Sequence, residues 1–68
     1  MKLSARNNLK GTITEIKIGA IMAKITVDLG HDIKIVSVIT MESVEELALK
    51  VGDKVHAVIK STEVLIGK

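Results

Sequence analysis

Sixty-eight residues without one cysteine, proline, phenylalanine, tyrosine or tryptophan form this chain. The missing cysteine excludes a disulfide framework and any thiolate metal site. The missing aromatics remove the stacking platforms on which single-stranded nucleic acid is usually held. Charge of one sign is also scarce: ten Lys and Arg against eight Asp and Glu leave a net +2. The lysines alternate with acidic residues and make no basic patch, so nucleic acid is disfavoured as a partner. The longest uncharged stretch, residues 35–41, is far too short to cross a bilayer. No charged start followed by an apolar run suggests a signal peptide, which gives the expectation of a cytoplasmic protein with no membrane partner.

What is abundant is aliphatic and largely β-branched. Ile, Val, Leu and Ala dominate a 47% hydrophobic composition, and such residues suit strands. A chain this short makes one domain at most, 1–68. Its burial energy, on the order of 90–100 kcal/mol, nearly cancels an ordering cost of roughly 100 kcal/mol. With disulfides excluded and metal ligands few, association between subunits is the expected source of extra stability.

Hydrophobic periodicity gives the element order. Lys2 to Ala5 reads as a short extended segment and Asn7-Asn8 as a turn or strand end. Thr12 to Ile18 is a strand in which Ile16 and Ile18 fall out of phase with Ile13, which predicts a bulge. Ile21, Ala23, Ile25, Val27 and Leu29 alternate with polar residues, the clearest strand in the chain. Gly30-His31-Asp32 predicts a hairpin turn, and Ile33 to Thr40 returns with apolar residues on both faces. Ser43-Val44-Glu45-Glu46 has the form of a capping box, predicting a helix to about Lys50 with Val44, Leu47 and Ala48 inward and Gly52 as its left-handed cap. Val55, Ala57 and Ile59 alternate in a further strand, and Ser61 to Ile66 closes the domain. The expected fold is all-β: a small OB-like closed barrel of five to six strands with one short helix.

No catalytic constellation emerges. His31 falls in a turn and His56 on the exposed side of a strand, with no spacing that suits a metal. Glu42, Glu45 and Glu46 read as ordinary first-turn partners of a helix dipole. With no nucleophile–base pair and no Gly-rich phosphate loop, the chain is expected to bind, not catalyse. Hydrogen-bond donors gather instead at strand ends. Ser4 and Arg6, two apart, point to one side of an extended chain. Arg6 is the only arginine, and its planar fork suits an oxyanion. Lys60-Ser61-Thr62 sets an ammonium and two hydroxyls together, and Thr40 to Ser43 leads into a helix start.

Three of these segments carry a resemblance. Ser4-Ala5-Arg6-Asn7-Asn8-Leu9-Lys10-Gly11 resembles the opening motif of the molybdenum-pterin-binding proteins, or molbindins, whose module recurs in TOBE-type domains of molybdate-responsive regulators and transporter ATPases. Residues 39–47 resemble the middle motif of that family, and residues 57–64 its closing motif. The resemblance implies an OB-like barrel, a dimer that exchanges strands, and a homohexamer built as a trimer of dimers. It implies molybdate or tungstate, with no organic cofactor, held at subunit interfaces by Ser4, Ala5 and Arg6 with Lys60 and Ser61 of a neighbouring subunit, and by Thr40 and Ser43. Storage and buffering of the oxyanion, part of metal homeostasis, is the implied function. A second reading is an assembly module of the same barrel that binds no anion. Molybdate and tungstate are deprotonated dianions at neutral pH and ask only for donors, which suits Ser, Thr, Arg, Lys and backbone amides. The turn at residues 30–32 departs from the family's glycine-rich hairpin.

Overall fold

A computed structural model describes residues 2–68; Met1 lies outside the described residues. Four strands form one antiparallel sheet: β1 (Asn7–Ile18), β2 (Met22–Gly30), β3 (Ile33–Thr40) and β4 (Lys54–Ile59), in the order β3-β2-β1-β4. A six-residue helix, α1 (Met41–Glu46), links β3 to β4, and a 3-10 turn at Ser61–Glu63 follows β4.

The alternation in β2 is realised in three dimensions. Ala23, Ile25 and Val27 are buried, and with Ile13 and Val44 they make the core. Ile21 falls outside the strand and is exposed. The phase shift in β1 is a bulge between Ile13 and Glu15, and it lets Ile16, opposite Ile25, pack against the same core as Ile13. His31 and Asp32, at φ +53° and +61°, form the two-residue loop between paired Gly30 and Ile33. Positive φ at both positions matches the twist of the flanking strands, and the Asp28 carboxylate accepts from the Gly30 amide at 2.8 Å.

Several boundaries differ from those expected. The helix starts at Met41, not after Ser43, and its N-cap is Thr40, whose hydroxyl oxygen accepts from the Ser43 amide at 3.0 Å. Thr40 is still paired with Met22, so β3 runs straight into α1 with the capping hydroxyl already at the junction. Glu46 therefore ends the helix and cannot reach back to its start. Gly52 is not the cap either. The Ala48 amide donates to Glu45 and the Leu49 amide to Val44, a Schellman arrangement with Ala48 in the left-handed position at φ +51°. That turn sends Leu49, not Leu47 or Ala48, back onto the core beside Val44. Gly52, at φ +97°, sits in the Lys50–Asp53 turn. Because an L-residue in the left-handed region costs roughly 1–2 kcal/mol, Ala48→Gly is expected to stabilise the protein by about 1 kcal/mol, read from the urea midpoint at fixed protein concentration.

The number of strands also differs. Lys2 to Ala5 is not a strand, and residues 64–68 pair with nothing; Leu65 and Ile66 are each 91% exposed. The sheet is curled, so that β3 and β4 line the two sides of an apolar cleft of about 420 Å³, and they are its free edges. β3, apolar on both faces, is thus an edge strand with Val36 and Val38 exposed. The exposed area is 5630 Å², whereas a compact monomer of 7.3 kDa would expose about 4,200 Å². The excess, roughly 1,400 Å², is more than one protomer contributes to a standard interface, about 800 Å².

Candidate functional site

Antiparallel pairing of β1 with β4, in register from Asn7 opposite Ile59 to Thr12 opposite Lys54, brings the start of the chain to the end of β4. The Asn7 side-chain amide donates to the Ile59 carbonyl at 3.2 Å, tying the segment before Asn7 to the residues after Ile59. Between them lies an open pocket of about 550 Å³. Ser4, Lys60, Ser61 and Thr62 give it hydroxyls and one ammonium, and Leu3, Ala5 and Val58 give it apolar walls. Among the described residues no carboxylate lines it and Lys60 alone is charged, so these walls offer donors around one positive charge. Such a surface suits a small, fully deprotonated anion.

Lys60 and Ser61 are adjacent, and a regular strand would point them to opposite faces. The chain avoids this by leaving the sheet. Lys60 is extended at φ −65° and ψ 140°, and Ser61–Glu63 then forms the 3-10 turn, closed by the Glu63 amide donating to the Lys60 carbonyl at 2.9 Å. Lys60, Ser61 and Thr62 then all line one pocket, where a regular strand would divide them between two faces.

Six of the seven expected residues fall into two groups, and Arg6 belongs to neither. Ser4, Ala5, Lys60 and Ser61 line the pocket within one chain; no neighbouring subunit is needed to bring Lys60 and Ser61 to Ser4, because the β1–β4 ladder already does so. Arg6 is exposed between Ala5 and β1 and is not among the lining residues. Thr40 and Ser43 stand elsewhere. Their hydroxyls bond each other at 2.9 Å, and Thr40 pairs with Met22, next to the Ile18–Ala23 end of β1. The pocket abuts the Asn7 end. Neither Thr40 nor Ser43 is among the residues lining it, so one chain does not bring these groups together in a single pocket. Leu3 and Val58 are pocket residues that sequence reasoning missed. The available signal was Val58 itself, apolar on the strand face that otherwise carries Lys54 and His56.

His56 and His31 are no part of this. The His56 Nδ1 lies 2.9 Å from the Asn8 side-chain oxygen, an acceptor, so the ring nitrogen donates. His31 occupies the hairpin turn.

Against known proteins, the TOBE domain model matches residues 3–66. Molybdenum-pterin-binding protein 1 of Clostridium pasteurianum is 47% identical over 66 residues, covering 97% of each chain. Among solved structures, a molybdate-binding protein from Sporomusa ovata superposes with a TM-score of 0.93 at 46% identity, covering 100% of both chains. The molybdate-bound form of the cytoplasmic molybdate-binding protein ModG gives 0.85 at 46% identity, covering 90% of this chain and 43% of that one.

Proposed function

This chain belongs to the TOBE-domain family, and from that premise we propose that it binds molybdate or tungstate and serves to store and buffer the oxyanion. The observation that carries the reading is the donor-lined pocket, in which Ser4, Lys60 and Ser61 converge with no carboxylate among the lining residues. A dianion gains charge-assisted hydrogen bonds from such a set. No carboxylate among the described lining residues is there to accept the proton of an anion such as hydrogen phosphate. Relatives described as molybdenum-pterin-binding and molybdate-binding proteins support the same ligand class.

Residues 1–68 act as a single binding module with no catalytic step. The module works as an assembly in the cytoplasm, a reading supported by its likeness to the cytoplasmic molybdate-binding protein ModG. The excess exposed area, the free edges of β3 and β4 and the unpaired Leu65 and Ile66 favour copies that exchange strands and close the barrel between them. A homohexamer, a trimer of dimers, is the assembly proposed. Within it Thr40 and Ser43 of one copy complete the pocket formed by Ser4, Ala5, Lys60 and Ser61 of another, and Arg6 turns toward the anion at the same junction. The opposite placement of the two groups along β1 is the reason for assigning them to different copies.

Isothermal titration with molybdate, tungstate and sulfate is the direct test. Saturable heat with molybdate or tungstate, together with a rise in melting temperature on adding the anion, is the expected result. No heat with either anion and an unchanged melt would replace this reading with that of an assembly module.

A further inference from the structure

We propose that Thr62 is a further oxyanion-binding residue, its hydroxyl donating beside Lys60 and Ser61. The assignment rests on the reading that this pocket holds the oxyanion. Thr62 lies on the pocket wall with Ser4, Lys60 and Ser61, and the turn geometry is what puts it there. Had β4 continued as a strand, Thr62 would share a face with Lys60 and Ser61 would point away. The 3-10 turn breaks that alternation, and three consecutive donors line one cavity. Glu63, the next residue, is not among the residues that line it. The turn therefore admits a second hydroxyl and keeps the neighbouring carboxylate out, a sorting that favours a fully deprotonated anion over one bearing a proton. Among the described residues the side chain has no hydrogen bond that would explain it: Thr62 is exposed, and the hydrogen bonds closing the turn run between the backbones of Lys60 and Glu63 and of Ser61 and Val64.

The test is calorimetric titration of the assembled protein with molybdate in three forms: unsubstituted, Thr62→Val and Thr62→Ser. Valine keeps the shape and removes the hydroxyl, and affinity is expected to fall about ten-fold, the value of one hydrogen bond to a charged partner. Serine keeps the hydroxyl and is expected to bind within about two-fold of the unsubstituted protein, a smaller change than any hydrogen bond to a charged partner would give. Light scattering should give the same mass for all three. Unchanged affinity in Thr62→Val overturns the assignment, as does a loss in Thr62→Ser equal to that in Thr62→Val, which would make the threonine methyl group the determinant. Both results leave the oxyanion reading standing. Absence of binding by the unsubstituted protein overturns that reading, and the assignment with it.

Discussion

Replacing Lys60 by alanine is expected to weaken molybdate binding by about a hundred-fold, the upper range for a hydrogen bond between charged groups. Lys60 is the only charged side chain among the described residues lining the pocket, so none of those residues compensates for its loss. It is exposed and precedes the 3-10 turn without contributing a side-chain cap. The fold should therefore survive, and the urea midpoint of Lys60→Ala should stay close to that of the unsubstituted protein. Lys60→Arg keeps the charge but exchanges a compact ammonium for a wide fork, and it is expected to retain part of the affinity. Titration calorimetry of the two variants separates charge from geometry. Equal affinities for Lys60→Ala and the unsubstituted protein would place the anion elsewhere.

The second large effect concerns the fold. Gly11→Ala is expected to destabilise the protein by about 3 kcal/mol, the upper range for overpacking. Gly11 pairs with Val55 of β4, and its other neighbours are residues of β2. A methyl group there would stand 2.5 Å from Val27 Cγ1 and 2.7 Å from the Asp28 carbonyl oxygen. The valine could rotate, but the carbonyl belongs to the ladder that pairs β1 with β2 and cannot move without breaking it. Equilibrium urea unfolding, with protein concentration held constant because association contributes, reads the change. A loss below about 1 kcal/mol, smaller than most core overpacking, would mean that the two strands separate there at little cost.

How far the site could be read in advance differs from one segment to the next. The donors were visible as residue types: one arginine among nine lysines, two hydroxyls after Lys60, and Ser4 two residues before Arg6. Their grouping was not, because it depends on a ladder between residues some fifty positions apart, from Asn7 opposite Ile59 to Thr12 opposite Lys54. Lys60 and Ser61 can serve as joint ligands only if the chain bends after β4, as it does in the 3-10 turn. A 3-10 turn carries a weak local signal, and Ser-Thr-Glu could as well have been extended. The helix start was misplaced for a related reason. Thr40 and Ser43 are both good caps, and the choice between them was made by the β2–β3 pairing, which keeps Thr40 extended at the strand end.

The sequence by itself determined the chain's class and its strongest elements. Period-two alternation specified which face of β2 is buried, the broken phase in β1 specified a bulge, and the absence of cysteine and aromatics confined the available chemistry to donors and charge. These are local properties, written in side-chain size and polarity at neighbouring positions. Only the tertiary structure decided that four strands pair within one chain and leave β3 and β4 as edges. It alone brought Ser4 beside Lys60, and it sent Thr40 and Ser43 to the far end of β1. Those outcomes follow from long-range backbone hydrogen bonding and from the way a bulged, curled sheet directs its ends, and neither is encoded in the spacing of residues along the chain.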